Sequence, residues 1–448
     1  MPQAQARSNR PNILYIFSDQ QNAGAMSGAG NPNLSTPAMD SLARRGVRFD
    51  RAYCAFPLCT PSRASMFTGL MPHQIGMEQN GRGIPAAFRS TELGPVLAQA
   101  GYACAYGGKW HIPEMAIPEG HGFERICGFS DWELPGRCVD FIRRRREKPF
   151  FLVASFDNPH NICEWSRNEP LPWGPVTACP SGQCPALPAN FGPATAEPEA
   201  LLRERQASII YREPVFTPDD WRQYRHAYCR LVEKVDAGLA AILAALSESG
   251  QESDTLVIFS SDHGEAAGAH RWNQKTALYE ECVRVPLIVA PPGCPAGAPR
   301  TDNSHLACNG TDLYATMCDY AGVPLPPGRE GLSLKPLVEG RLEASWRDHV
   351  VAETFFDGGL GTRGLMVRSA RYTYALYSWG RHREQLFDLE ADPGEMENRA
   401  ADPEFRPALQ QHRDWLAQWI RRTDYRQGAH YAHPHGYPLV PGQEYPRG

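Results

Sequence analysis

Short, uninterrupted apolar segments recur along the first two thirds of the chain, and they constrain the fold more than any other feature. They cover residues 12–17, 103–106, 150–156, 255–259 and 286–289. Continuous apolar runs suit strands that are buried on both faces, and the intervening segments carry helical patterns. We therefore predict an α/β fold with a large, mostly parallel or mixed sheet sandwiched by helices.

The clearest helix signal begins at Thr217. Threonine is a favoured N-cap residue, Pro218 suits the first helical position, and acidic side chains follow in the first turn. Apolar residues then recur at helical spacing up to Leu246, and Gly250 supplies a C-terminal cap. The pattern predicts one long helix that ends just before Gly250.

The pattern changes beyond about Ser345. Short alternating segments at 364–368 and 372–377 fit an antiparallel sheet, and a helix is predicted from Pro403 to Ile420. We predict a large N-terminal domain, residues 1–345, and a smaller C-terminal α+β subdomain, residues 346–448, with the antiparallel sheet, the helix and a tail. The histidine-rich stretch 428–435 is expected to pack on the chain itself or on a neighbouring subunit of a homo-oligomer.

Charge and cysteine content restrict the class of protein. The net charge of -5 on 448 residues, with acids and bases interspersed, gives no basic surface of the kind that binds nucleic acid. The arginine run 143–146 reads as the exposed last turn of a helix. The first ten residues are polar and no segment is long and apolar enough to span a membrane. Thirteen cysteines, an odd number, indicate reduced thiols, so we expect a cytoplasmic protein without a nucleic-acid or membrane partner.

Polar residues follow two of the predicted strands. Asp19 and Gln20 end the first strand, and Asp262 and His263 end the fourth. Ligands of α/β sheets bind beyond the carboxyl ends of the strands. Carboxylate and amide oxygens are hard ligands that suit calcium or magnesium, and one imidazole among them tolerates several metals. These four residues predict a divalent cation site.

A second candidate element is the segment Cys59-Thr60-Pro61-Ser62-Arg63. Pro61 and Ser62 can open a helix whose free N-terminal amides point at a bound oxyanion, and Arg63 adds a fixed positive charge. Taken alone, the segment fits a buried thiol and a surface arginine equally well.

Three further segments carry cationic or imidazole groups, and two of them directly follow predicted strands. They contain Lys109 and His111, then His160, and then Lys275. Each side chain taken singly also fits a structural role. Together with an arginine, lysines around a tetrahedral anion stabilise the charge that develops as an ester oxygen leaves, and a histidine can protonate that oxygen.

In chain order, these motifs resemble the sulfatase branch of the alkaline-phosphatase-like superfamily. The motifs are strand-Asp-Gln, Cys-x-Pro-Ser-Arg, Gly-Lys-Trp-His, Pro-His, Ser-Asp-His-Gly-Glu and a downstream lysine. Segment 385–395 is also similar to the closing strand and turn of these enzymes. The resemblance implies an alkaline-phosphatase-like fold and a catalytic domain within residues 1–345. It also implies that a formylglycine-generating maturation enzyme oxidises Cys59 to formylglycine (3-oxoalanine), which acts as a hydrated aldehyde.

The resemblance implies a role for each motif residue. The cation is usually calcium, with magnesium or manganese as alternatives, and it orients the hydrate and the sulfate. Its implied ligands are Asp19, Gln20, Asp262, His263 and residue 59. The implied catalytic residues are Cys59, Arg63, Lys109, His111, His160 and Lys275.

The catalytic residues divide by role in this resemblance. Arg63 and Lys109 support the hydrate, while His160 and Lys275 neutralise or protonate the departing alcohol. His111 then takes the remaining hydroxyl proton so that sulfate is expelled and the aldehyde returns.

Two metal positions depart from the commonest family pattern. Gln20 stands where many relatives have a second aspartate, and His263 stands where many have asparagine. These two departures leave magnesium and manganese open beside calcium.

The expected activity is hydrolysis of a sulfate ester on a carbohydrate, and the expected partner is a sulfated saccharide or small molecule. Alternatives are an aryl or alkyl sulfatase, a phosphonate or phosphodiester hydrolase of the same superfamily, and a binder without activity. Relatives that act on phosphonate monoesters tend to lack the Lys and His of Gly-Lys-Trp-His, and both are present here. We expect Phe56, the loop 74–82, Trp165 and the proline-rich insertion 170–214 to border the pocket.

Overall fold

The structure is a computed structural model that describes residues 10–113, 118–207, 210–212, 215–341, 345–356 and 359–431. The strands are β1 (Asn12–Asp19), β2 (Val47–Phe49), β3 (Ala52–Tyr53), β4 (Ala103–Gly108), β5 (Glu124–Arg125), β6 (Phe150–Pro159), β7 (Thr255–Ser261), β8 (Leu287–Ala290), β9 (Arg300–Asp302), β10 (Ala307–Cys308), β11 (His349–Phe355), β12 (Arg363–Ser369), β13 (Tyr372–Tyr377) and β14 (Glu384–Asp388). The α-helices are α1 (Pro37–Arg45), α2 (Cys59–Thr68), α3 (Leu93–Gln99), α4 (Leu134–Arg143), α5 (Ile162–Ser166), α6 (Glu199–Ala207), α7 (Pro218–Glu248), α8 (Glu280–Val283), α9 (Asn309–Tyr320), α10 (Lys335–Val338), α11 (Arg406–Arg422) and α12 (Arg426–Tyr431).

The main sheet has eight strands in the order β5-β4-β6-β1-β7-β8-β2-β9. Strands β5, β4, β6, β1 and β7 run parallel, whereas β8 pairs antiparallel with both β7 and β2. This is the mixed sheet that the sequence predicts. The central strand β1 lies between β6 and β7, with Asp19 opposite Pro159 and Ser18 opposite Ser261. The polar residues at the ends of three strands therefore meet at one edge.

Helices cover both faces of the sheet, as predicted. Successive side chains of β1 enter different cores, with Ile13, Tyr15 and Phe17 on one face and Leu14 and Ile16 on the other. Helices α2, α3 and α9 bury apolar residues in the first core, and α1, α4 and α7 in the second. Each such fully buried side chain contributes roughly 1.5–3 kcal/mol to folding, so the two cores fix the strands that carry the site.

The long helix α7 begins and ends as predicted. The Thr217 hydroxyl accepts the Asp220 amide at 3.2 Å, and the Asp220 carboxylate accepts the Thr217 amide at 2.8 Å. The helix stops at Glu248, and Gly250 follows with φ +68°, a left-handed conformation that suits glycine.

The C-terminal strands β11 to β14 form an antiparallel sheet in chain order, which confirms the predicted architecture. Helix α11 packs its apolar residues into the first core, but it begins at Arg406 rather than at Pro403. Residues 403–405 form a separate 3₁₀ turn, because the Asp402 carboxylate caps the Glu404 amide. The domain boundary at 345 stays a prediction, and most of the histidine-rich tail lies outside the described residues.

The proline-rich insertion is not one continuous loop, which corrects the expectation for residues 170–214. Helix α6 lies within it, because Ala200 and Leu201 are buried and Arg205 pairs with Glu197 at 2.7 Å. Sequence patterning missed this helix since it has only one buried face and follows several prolines.

The arginine run lies at the surface, as predicted. Helix α4 ends at Arg143, which pairs with Glu248 at 2.9 Å, and Arg144 pairs with Glu124 at 2.8 Å. Among the described residues, no helix combines the length and the apolar character needed to cross a membrane. The cytoplasmic location stays a prediction.

Candidate active site

Cys59 is the first residue of helix α2 and is buried. The helix begins two residues earlier than the predicted opening at Pro61 and Ser62, because proline fits anywhere in the first turn, where backbone N–H groups lack helical partners. The Thr60 amide is satisfied by Asn80 Oδ1 at 3.1 Å. The thiol therefore lies at the positive end of the helix, where an anion is stabilised.

Three side chains at strand ends surround the thiol. Asp19 Oδ1 lies 3.5 Å from Cys59 Sγ, and His263 Nε2 lies 3.3 Å from the same sulfur. His263 Nε2 is also 3.6 Å from Asp262 Oδ1. One ligand atom from each of these four buried residues lies within 4.8 Å of the others. The structure thus brings together Asp19, Cys59, Asp262 and His263.

The chemistry of this donor set fits a divalent cation. His263 Nδ1 donates to the Gly264 carbonyl at 3.0 Å, so Nε2 is the ring nitrogen that faces the cluster and can serve as a ligand once it is deprotonated. Burial, followed by the charge of Asp19, raises the pKa of Asp262 above its usual value. A bound cation relieves that repulsion between two buried carboxylates.

Arg63 bridges the two aspartates. Its guanidinium donates to Asp19 Oδ2 and to Asp262 Oδ2, both at 2.8 Å, and to the Lys109 carbonyl at 2.6 Å. The Lys109 ammonium lies 2.8 Å from Asp19 Oδ2 and 2.9 Å from Asp157 Oδ1. Burial alone would raise the pKa of Asp19, but Lys109, His160 and Arg63 together hold it well below its ordinary value.

Lys275 contacts the thiol directly. Its ammonium donates to Cys59 Sγ at 3.0 Å and to Gln20 Oε1 at 2.8 Å. Burial by itself would raise the pKa of the Cys59 thiol, but the charges of Lys275, His263 and Lys109 and a hydrogen bond from His111 hold it well below the usual value. These contacts favour a negative charge at the position of residue 59.

Gln20 lies at the rim of the cluster. Its carbonyl oxygen accepts from Lys275, and its Nε2 donates to Glu265 Oε2 at 2.6 Å, so the side-chain amide is oriented by two partners. Its backbone N–H donates to Asp262 Oδ1 at 3.0 Å. With φ +73°, Gln20 has a left-handed backbone, and Thr276 beside Lys275 has φ +78°, which is strained for a β-branched residue.

The two histidines occupy different environments. His111 lies beside Cys59, and its backbone carbonyl accepts the Thr60 hydroxyl at 2.8 Å. His160 Nδ1 lies 3.9 Å from Asp157 Oδ1, and its side chain is 22% exposed. His111 and His160 are both half-buried, whereas Lys109 and Lys275 are buried, so an entering molecule can reach the two histidines.

Sequence reasoning assigned no role to Asp157 or Glu265. Asp157 holds Lys109 and faces His160, and the signal that could have found it is its place two residues before Pro159 at the end of β6. Glu265 is fully buried and accepts from Gln20, from the Tyr224 hydroxyl at 2.8 Å and from two backbone amides. The sequence placed Glu265 in a motif without indicating its partners.

The residues expected to border the substrate pocket differ in their surroundings. Phe56 is fully buried, and the half-buried Trp165 packs edge-on against Phe216 and Tyr224 beside the second core. The insertion does reach the site, because Trp173 Nε1 donates to Asp157 Oδ2 at 2.8 Å.

The chain is similar to known sulfatases in both sequence and structure. The sulfatase family model matches residues 11–323, and that of the N-sulphoglucosamine sulphohydrolase C-terminal region matches residues 268–422. Delta 4,5-hexuronate-2-O-sulfatase of Bacteroides thetaiotaomicron is 32% identical over 454 residues, covering 94% of this chain and 92% of that protein. The solved structure of a 2-O GAG sulfatase, 28% identical, matches with a TM-score of 0.82 over 94% of each chain.

The phosphonate monoester hydrolase of Agrobacterium radiobacter is similar with a TM-score of 0.73 and 23% identity, over 93% of this chain and 96% of that chain. At that identity the likeness shows the fold alone. The family match covers most of this chain, and its motifs meet at one edge of the sheet. The chain therefore belongs to the sulfatase family of the alkaline-phosphatase-like superfamily, and it is a sulfuric ester hydrolase.

Proposed function

We propose that this sulfatase removes a sulfate ester from a carbohydrate, with a nucleophile made from Cys59. The observation that carries the proposal is the position of the buried Cys59 sulfur, between Lys275 at 3.0 Å, His263 at 3.3 Å and Asp19 at 3.5 Å. A saccharide substrate is supported by the names of two relatives, a hexuronate-2-O-sulfatase and a 2-O GAG sulfatase.

Cys59 is converted to formylglycine by a maturation enzyme in this proposal. When formed and hydrated, formylglycine supplies a nucleophilic oxygen that no encoded side chain offers. The Cys59 sulfur stands in for that oxygen in the structure. Lys275 donates a hydrogen bond to this position, so it favours a negatively charged oxygen there.

The divalent cation would be held by Asp19, Asp262, His263 and residue 59, with Gln20 at the rim. We propose calcium, with magnesium and manganese as alternatives, because oxygen ligands predominate. The ion supplies positive charge that polarises the sulfate and orients the nucleophile.

The chain's own cations support the hydrate at residue 59 and neutralise the charge of the departing group. Arg63 and Lys109 are fixed by Asp19, so their charges are in place before the substrate arrives. His160 is partly exposed beside Asp157 and protonates the leaving alcohol. His111, which lies beside residue 59, takes the proton whose loss releases sulfate.

The atoms balance for a hydrolysis. Sulfur gains an oxygen that derives from water by way of residue 59 as its bond to the bridging ester oxygen breaks. The bridging oxygen gains a proton as an alcohol, inorganic sulfate leaves, and one water molecule is consumed overall.

Sulfate release from a panel of sulfated mono- and disaccharides, aryl sulfates and short alkyl sulfates tests the substrate class. The protein is produced with a formylglycine-generating enzyme, and a Cys59→Ala variant is the matched control. We expect saccharide sulfates to be cleaved with the highest kcat/KM. Activity confined to aryl or alkyl sulfates would overturn the carbohydrate assignment, and faster cleavage of a phosphonate monoester would favour the alternative hydrolase.

A further inference from the structure

Trp132 lies in the turn between β5 and α4, and the residue is 67% exposed. A single exposed apolar side chain needs no explanation, but this one is built into a supporting surface. Its indole rests on Gly174, where an added Cβ would come within 2.9 Å of the ring. The ring is thus supported from one side, while much of its surface is open to solvent.

The turn that contains Trp173 and Gly174 is held in place by contacts with α7 and β6. Lys234 of α7 donates to the Trp173 carbonyl at 2.9 Å and to the Gly174 carbonyl at 2.6 Å. Trp173 is also tied through its indole N–H to Asp157, and its ring meets Phe129 edge-on at 5.7 Å. The three aromatic rings, Phe129, Trp132 and Trp173, are called the aromatic wall below.

The aromatic wall is anchored to the end of β6. The Asp131 carboxylate, next to Trp132, accepts the amides of Asp157 and Asn158 at 2.7 and 2.8 Å. The Lys109 ammonium lies over the Phe129 ring at 5.7 Å from its centre. The wall therefore adjoins Asp157 and Lys109, on the side of the site that carries His160.

We propose that the aromatic wall stacks on a pyranose ring of the substrate, with Trp132 as a specificity-determining residue. The inference rests on the proposed carbohydrate function and assigns it a subsite. The C–H faces of a pyranose are apolar and pack on indole rings, and flanking polar groups take its hydroxyls. Glu133 and Arg137 beside Trp132 are both more than half exposed and supply such groups.

The test compares Trp132→Ala and Trp132→Phe with wild type on two substrates, a sulfated disaccharide and a short alkyl sulfate without a ring. Loss of one stacked aromatic ring raises KM for the disaccharide about tenfold in Trp132→Ala, with kcat changed by less than about twofold. Trp132→Phe keeps a ring and restores most of the loss. Leu332→Ala, which removes an exposed apolar side chain elsewhere, is the matched control.

The outcomes separate this proposal from the one on which it rests. The proposal that a pyranose stacks on the aromatic wall is supported if KM in Trp132→Ala rises about tenfold more for the disaccharide than for the alkyl sulfate. An equal KM change for both substrates, or no KM change, overturns the stacking proposal and leaves the proposed carbohydrate function in place. Failure of the wild type to cleave any saccharide sulfate, with the alkyl sulfate cleaved, overturns both.

Discussion

Replacing Arg63 by alanine removes the cation that bridges two buried carboxylates. Arg63, Asp19 and Asp262 all have fully buried side chains, and both ion pairs are 2.8 Å long. Asp19 keeps Lys109 as a partner at 2.8 Å, but Asp262 loses its guanidinium partner. The variant therefore leaves an uncompensated carboxylate in the interior.

The expected loss of stability in Arg63→Ala follows from these contacts. Removing one partner of a buried ion pair destabilises a protein by about 3–5 kcal/mol. Because Asp19 keeps its ion pair with Lys109, we expect a loss of about 3 kcal/mol in the free energy of unfolding. With an unfolding entropy of about 2.1 cal/mol/K per residue, the loss corresponds to a melting temperature about 3 °C lower.

Urea unfolding followed by circular dichroism measures the effect. Arg143→Ala is the matched control, because Arg143 and its partner Glu248 are more than half exposed and such pairs contribute about 0–1 kcal/mol. Calcium added to Arg63→Ala is expected to restore part of the loss by neutralising the carboxylates. The reasoning is refuted if Arg63→Ala unfolds within about 1 kcal/mol of the Arg143→Ala control.

Three further predictions concern other parts of the molecule. Burial lowers the pKa of His73, but Glu353 at 2.6 Å raises it above the usual value overall, and burial raises the pKa of Glu353. The raised pKa of His73 predicts that stability falls as pH rises above about 6.5, and the raised pKa of Glu353 predicts a fall that begins above about 4.5. His73→Gln should flatten the first of these dependences in thermal unfolding between pH 6 and 9. Gly264→Ala would bring a Cβ within 2.0 Å of the Glu281 carbonyl, so it should cost at least about 1 kcal/mol and lower kcat; unchanged stability and kcat would contradict the packing. Asp262→Asn should weaken the calcium affinity measured by calorimetry at least tenfold, which is about 1.4 kcal/mol in binding free energy. An unchanged affinity would exclude Asp262 as a ligand.

The motifs of the site were largely readable from the sequence, because they follow apolar strands whose ends must meet in a parallel sheet. Asp19 and Asp262 were predicted to be close for this reason, and the structure brings both to Arg63. The antiparallel C-terminal sheet was readable from alternation at period two.

Other features depend on contacts between distant segments, which local patterns do not encode. Trp173 meets Asp157 only because Lys234 holds the turn of the insertion against α7. Glu265 orients Gln20 across 245 positions of the chain. The start of α2 at Cys59 was also missed, since proline at 61 is compatible with several starting residues of the first turn.

The most direct test of the account is the mass of the peptide that contains residue 59, from protein produced with a formylglycine-generating enzyme. We predict the mass loss of thiol-to-aldehyde conversion, and sulfate release in proportion to the converted fraction across preparations. Full activity in protein whose Cys59 is entirely unmodified would contradict the proposed nucleophile.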